Sequence, residues 1–529
     1  MSPTQISRFF SGIFICIMLF SMLATSGCTS QNRITPNQSS FANELSTITG
    51  APRYTHASWG IIIVDPATGK TLYGSNTDEM YVPGSTAKLF ASAAVLEALG
   101  PGYRFVTPVY VTSAPGVVGT PAGDLILVAS GDPTMGGRTL PDGTIAYTDV
   151  DHGDANALGG AILTQTDPVA GLDDLASQVK ASGITKVADV VIDDRLFETT
   201  DLGKSYMISP VIVNDNLVDI TITPGASGTA PSLVMRPQTS AFRLVNKMTT
   251  GPKETPLAVG MKEDPAGTIV VSGTIAVNAG PVNQTFSVKT PAAFARTLFI
   301  EALERQGVDV TATATGDNPA AKLPTAGSYA RTRKVAELIS PPLSGDVKLT
   351  LKVSQNLHAD TYIMLLAAAS NKTGFYDGMQ REGAILGSLG LDTRGLSLGD
   401  GEGGVTEDRI SPESAAQLLN LMTRRPYAAE YMNALPVLGV DGSLASSCST
   451  GNPACGHVYA KTGTTGTYDP LNNRGVLLAK SLAGYVDTKS GDRLVFAIYV
   501  NNVPFSDTND MMTAGNDLGS VAGLIYKYY

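Results

Sequence analysis

Histidine and cysteine each occur only four times in 529 residues, and both scarcities exclude chemistry. A Ser-His-Asp hydrolase needs one of His56, His152, His358 or His457 beside its serine. No G-x-S-x-G elbow surrounds Ser85, the serine that opens the most helix-like apolar run. An H-E-x-x-H zinc helix is missing, and Cys448, Cys455 and the lone neighbouring His457 are too few ligands for a zinc site, so no metal is expected. Charge is sparse as well: 16% of residues are charged, the net charge is −10 and no run of one sign stands out, which argues against a nucleic-acid surface.

Three short motifs stand in order along the chain: Ser85-Thr86-Ala87-Lys88, Ser354-Gln355-Asn356 and Lys461-Thr462-Gly463. Ser85 follows Val82-Pro83-Gly84 and leads into an alanine-rich stretch that stops at Leu99-Gly100-Pro101, which predicts a helix from about Ser85 to Gly100. Residues three apart share a helix face, so the Lys88 amine can reach the Ser85 hydroxyl. The helix start also offers backbone N–H groups and positive dipole to a developing oxyanion. A lysine serves as base only when burial or nearby cations lower its pKa, and Lys461 is a candidate for that cation. Each motif also has a plain reading: Ser85 as a helix cap, the Ser354 segment as a polar loop before the helix at Tyr362 to Leu366, and Lys461-Thr462-Gly463 as a surface turn. Two apolar runs after the third motif, Ser481 to Val486 and Leu494 to Val500, read as strands.

The S-x-x-K, S-x-N and K-T-G set is the signature of serine β-lactamases and penicillin-binding proteins. The long separation of Ser85 from Ser354 makes the chain resemble the class C low-molecular-mass penicillin-binding proteins, the D-alanyl-D-alanine carboxypeptidase/endopeptidase family of the penicillin-binding protein 4 type. Gly131-Asp132-Pro133, Val191-Ile192-Asp193-Asp194, Val213-Asn214-Asp215-Asn216 and Leu435-Pro436-Val437-Leu438-Gly439 add to the likeness. The resemblance implies an α/β fold: a serine β-lactamase/D,D-peptidase-like catalytic domain of antiparallel sheet and helices, carrying two inserted, mainly β domains. Its expected parts are a discontinuous catalytic domain over 43–107 and 331–529, one inserted domain over 108–205 and 291–330, and a second over 206–290.

By the same resemblance, Ser85 is the nucleophile and Lys88 its base. Ser354 relays a proton to the leaving D-alanine, Asn356 fixes Lys88 and the substrate amide, and Lys461 with Thr462 holds the terminal carboxylate. The backbone of Ser85 and of Thr464, just past Gly463, would form the oxyanion hole. No cofactor is implied. Peptidoglycan stem peptides would be the substrates and β-lactams the acylating inhibitors. Asp193, with Asp194 as its rival, resembles the aspartate that meets the diaminopimelate amine, or is an ordinary turn residue. The arginine that grips the side-chain carboxylate in many members is Thr406 here, with Arg409 close by. Thr464 to Lys480 intervene before the next strand, and within them Asp469 to Gly475 reads as an extended loop beside the cleft, either altering access or neutral.

Arg8 followed by the apolar Phe9 to Phe20 has the layout of a signal peptide over 1–27, although the run also suffices for an uncleaved anchor. Gly27-Cys28 raises the alternative of a lipoprotein anchored at Cys28. Either way the protein is exported, periplasmic or otherwise outside the cytoplasmic membrane, and an oxidising compartment permits a Cys448–Cys455 disulfide. Residues 28–42 are polar and predict a tether. Trp59 to Val64 and Thr71 to Tyr73 flank a turn and predict a hairpin, and a helix is expected over Glu413 to Met422. His358 reads as a packed or surface histidine. Three functions remain open: an active D,D-peptidase, a cell-wall-binding homologue with decayed catalysis and a β-lactamase. Intact Ser85, Lys88, Ser354, Asn356, Lys461 and Thr462 favour the first.

Overall fold

A computed structural model describes residues 36–113, 121–265 and 267–529; the expected signal peptide, Cys28 and the first part of the tether lie outside them. The organising element is an antiparallel sheet built from both ends of the chain. Its strands run in the spatial order Val458–Asp469, Arg474–Asp487, Arg493–Asn501, Ser58–Asp65, Lys70–Ser75. The early hairpin joins the late strands through a register that pairs Ser58 with Asn501 and Val64 with Val495. Ile61 and Ile63 face one side of the sheet and Ile62 the other, so both faces are apolar and both are covered.

On the back face lie the Thr508–Tyr528 helix and the Pro36–Thr49 helix. The second of these corrects the expected tether, because residues 36–42 are helical. Phe41 and Leu45 are one turn apart and buried, and the Phe41 ring meets Tyr73 at 5.1 Å and Tyr529 at 5.5 Å. Burial of those two side chains overrides the polar composition.

On the front face pack the helices Lys88–Leu99, Leu343–Val353, Asn356–Ala369, Phe375–Ser388 and Pro412–Met422. The Lys88–Leu99 helix is apolar all round, with Leu89 to Leu96 buried, so it runs through the core with only its N-terminus toward the cleft. Gly100 ends it at φ 84°, a conformation a side chain would oppose.

Between the first two motifs the chain forms separate sheets with their own core. A four-stranded sheet ordered Arg333–Ile339, Val106–Val111, Leu125–Val128, Val190–Asp193 packs on the helices Ala170–Ala181 and Pro291–Arg305. Two three-stranded sheets follow: Leu217–Thr223 with Ser232–Arg236 and Val282–Ser287, and Arg243–Gly251 with Ala258–Glu263 and Thr268–Ala276. The Arg333–Ile339 strand closes the excursion, since it pairs with Val106–Val111 where the chain left the helical layer.

The extended loop expected over Asp469 to Gly475 is a tight turn of residues 470–473. The strands on either side continue into it as a hairpin, with Tyr468 opposite Gly475 and Asp469 opposite Arg474, and a turn only at the tip. Cys448 and Cys455 are disulfide-bonded.

Candidate active site

The first motif lies on a short 3-10 turn, Gly84–Ala87, that leads into the Lys88–Leu99 helix. In this tight turn the Lys88 side chain folds back, and its Nζ donates to Ser85 Oγ at 2.9 Å. The same amine donates to Asn356 Oδ1 at 2.7 Å and to the Glu402 carbonyl at 3.1 Å. Lys88 is fully buried and Ser85 half-buried. Burial holds the Lys88 amine below the ordinary lysine range, while the charges of Glu402, Asp400, Asp360 and Asp154 pull it back up.

The second motif is a connection between two helices. Ser354 ends the Leu343–Val353 helix at φ 64°, a left-handed cap position, and the Gln355 side chain caps the next helix by accepting from Leu357 N. Two caps in succession leave Ser354 and Asn356 little freedom. Lys461 Nζ donates to Ser354 Oγ at 2.9 Å and to the Thr462 carbonyl at 2.8 Å. It too is fully buried, and burial together with the Lys88 charge holds it well below the lysine range.

The third motif lies on Val458–Asp469, the edge strand of the main sheet. Close approach needs Gly463 there, because a Cβ on it would stand 2.2 Å from both Pro83 O and Ser481 Oγ and 3.2 Å from Ser85 N. On the opposite side of the gap, a Cβ on Gly84 would stand 2.7 Å from Thr464 N. The backbone N–H groups of Ser85 and Thr464 thus border one gap. Thr462 shares a hydrogen bond of 2.9 Å with Ser443.

The other sequence candidates make no hydrogen bond to the three motifs among the described residues. Asp193 is buried and spent: Oδ1 and Oδ2 accept from Arg195 at 2.7 and 2.8 Å, and the Tyr329 hydroxyl donates to the same carboxylate. None of these partners belongs to the three motifs. Asp194 beside it is half-buried, and burial raises its carboxyl. Thr406 is exposed and donates to Glu407, and Arg409 donates to the carbonyls of Thr406 and Asp408. His358 is fully buried under the second motif, its ring between Asp346 at 2.8 Å and Asp215 at 3.1 Å. Asp151, His152 and Asp215 are close enough to hold a metal ion, but Arg138 already bridges the two carboxylates at 2.8 and 2.6 Å. A guanidinium is their resident cation.

Two residues at the site carry no sequence signal. Asp154 comes from the inserted part and lines a cavity of about 210 Å³ with Asn156, Tyr206, Ser354 and Asn356. Its carboxylate accepts no hydrogen bond among the described residues; burial and Asp151 raise it to about 6 while Lys88 and Lys461 oppose that rise. Lys204, also inserted, reaches the carboxylates of Asp360, Asp400 and Glu402.

A family model, that of the D-Ala-D-Ala carboxypeptidase 3 (S13) family, matches residues 41–520. The chain belongs to that family. A D-alanyl-D-alanine carboxypeptidase of Actinomadura sp. (strain R39) is 30% identical over 485 residues, which is 87% of this chain and 80% of the relative. A penicillin-sensitive carboxypeptidase A of Dictyostelium discoideum is 25% identical over 85% of this chain and 84% of its own. Among solved structures, penicillin binding protein 4 (dacB) of Haemophilus influenzae superposes with a TM-score of 0.68 at 19% identity, covering 91% of this chain and 99% of that one. This S13 protein is accordingly a serine-type D,D-peptidase.

Proposed function

We propose that the three motifs form one acyl-transfer site that removes D-alanine from peptidoglycan stem peptides through an ester on Ser85. The observation that carries this is the pair of bridges: Lys88 between Ser85 and Asn356, and Lys461 on Ser354. Burial makes the Lys88 amine give up its extra proton more readily than an ordinary lysine, and the deprotonated amine then takes the Ser85 proton as Oγ attacks the carbonyl of the penultimate D-alanine. The N–H groups of Ser85 and Thr464 receive the oxyanion. Ser354, bonded to Lys461, hands a proton to the departing amine, and Lys461 with Thr462 holds the terminal carboxylate. A water then cleaves the ester. The working unit comprises 36–105 and 340–529, and the chain between them forms the inserted units; the expected boundaries at 107 and 331 shift because Val106–Val111 and Arg333–Ile339 pair with each other and share the inserted core.

A penicillin binding protein 4 of H. influenzae has been solved with a β-lactam. The same chemistry here makes β-lactams acylating inhibitors of Ser85. The substrate class lies outside the cytoplasmic membrane, so the reading requires export. No helix among the described residues is long and apolar enough to cross a membrane.

With Asp193 bound to Arg195 and Tyr329, the unpaired Asp154 is the better anchor for a free amine on the third residue of the stem. Thr406 carries no charge and Arg409 spends a guanidinium nitrogen on the carbonyls of Thr406 and Asp408, so we expect selectivity for the side-chain carboxylate to be weak. Release of D-alanine from matched pentapeptides, with the third-residue amine free or acetylated, tests both parts. We expect release by the wild type, faster with the free amine. Asp154→Asn should erase that preference and Asp193→Asn should leave it. No release from either peptide contradicts the peptidase reading, and a preference that survives Asp154→Asn contradicts the anchor.

A further inference from the structure

Beneath Lys88 lies a concentration of buried negative charge. Asp360 and Asp400 are fully buried and Glu402 nearly so. Asp360 stands one helical turn after Asn356, on the face that meets Lys88. Asp400 and Glu402 belong to the loop whose Glu402 carbonyl accepts from Lys88 Nζ. Asp400 Oδ1 holds that loop by accepting from the N–H groups of Glu402 and Gly403, and Asp360 Oδ1 accepts from Gly401 N. Burial raises Asp360 itself to about 7, with Lys204 pulling it down, and two further acids complete the surroundings: burial and the neighbouring carboxylates raise Glu382 to about 8 and Asp408 to about 7. Asp154 and the Lys461 amine also interact electrostatically with Lys88.

Left alone, that much negative charge would keep a proton on Lys88, and an ammonium cannot accept one from Ser85. Among the described residues one cationic side chain forms ion pairs with this cluster. Lys204 Nζ lies 2.6 Å from Asp360 Oδ2, 2.8 Å from Asp400 Oδ2 and 2.7 Å from Glu402 Oε1, with its side chain 11% exposed. The Tyr206 hydroxyl adds a bond of 2.8 Å to Asp360. Lys204 lies far from the three motifs in sequence and makes no hydrogen bond to any of them.

We propose that Lys204 is a positioning residue for the base: by neutralising the Asp360–Asp400–Glu402 cluster it lets Lys88 stay uncharged, and so competent, near neutral pH. The proposal rests on Lys88 being the base for Ser85. It gives the inserted part of the chain a catalytic effect without contact to substrate.

The test is the rate of acylation by a fluorescent penicillin from about pH 6 to about pH 10, for the full chain and its variants. For Lys204→Met we expect the rising limb to move alkaline by about one unit, lowering acylation near pH 7 about tenfold. Lys204→Arg should keep the limb in place, and adding Glu402→Gln to Lys204→Met should move it back. Glu402→Gln alone, with Lys204 intact, should move it toward acid, which decides the matter if Lys204→Met does not fold. A limb that stays put in both Lys204→Met and Glu402→Gln overturns the proposal, because the cluster then takes up its own protons without affecting Lys88. Lys88→Arg in the same series separates the two readings: near-normal acylation by that variant indicts Lys88 as base, not Lys204.

Discussion

A single methyl group at position 463 tests how closely the edge strand must approach Ser85. The alanine Cβ would meet Pro83 O and Ser481 Oγ at 2.2 Å, far inside contact distance, and neither is the free end of a flexible chain. The strand has to move outward, and Thr464 N leaves the gap it shares with Ser85 N. We expect Gly463→Ala to slow acylation by about 10²–10³, the scale of one lost oxyanion donor, while Tm changes little. Normal acylation would show that the gap is not where the oxyanion forms. At this scale the sequence was most legible where chemistry is local: Ser85 and Lys88 are one turn apart and Lys461 to Gly463 are contiguous. The Asp193 pairing with Tyr329 was not legible, because that partner is remote in sequence and cannot be read from the neighbouring residues.

Among the elements, the connection carrying Ser354 has the most elaborate support. Gln355 Nε2 donates to Asp215 Oδ2 at 2.8 Å and to Asp151 Oδ1 at 3.2 Å, and Arg138, His152 and His358 also face Asp215. The carboxylates raise both histidines from an ordinary 6.5 to about 10 against the effect of burial, whereas the surrounding cations hold Asp215 well below the carboxylate range. A raised histidine lends stability that is complete below about pH 6.5 and lost as pH climbs through about 10; the depressed aspartate lends stability that is lost in acid. His358→Gln leaves Asp346 and Asp215 short of a cation, which costs about 3–5 kcal/mol. The Tm gap to wild type should be widest near about pH 6 and narrow toward about pH 10; a gap independent of pH would mean that His358 is neutral. Two elements were misread from sequence for opposite reasons. Asp469-Pro470-Leu471-Asn472-Asn473 has turn composition, and only the cross-strand register shows that its flanks pair. The Pro36–Thr49 helix looks like a tether because the pocket that receives Phe41 is built by Tyr73 and Tyr529.

At the level of the whole molecule, the sheet joins residues near both ends of the chain, and the inserted part reaches back to the site it interrupts. Gln355 rests on Asp151 and Asp215, Gly442 N donates to Asp149 at 2.9 Å, and Lys204 serves the loop against Lys88. The layered architecture was legible because apolar runs and motif order survive in one dimension. Contacts such as Lys204 with Glu402 were not, since nothing local in either segment announces the other. The proposal that the motifs converge on a covalent serine is tested most directly by intact-protein mass spectrometry after incubation with a β-lactam. We expect a stable gain of one drug mass, mapped to the peptide containing Ser85, absent from Ser85→Ala and slowed about 10²–10⁴-fold in Lys88→Arg. A Ser85→Ala protein that still gains the drug mass would contradict it.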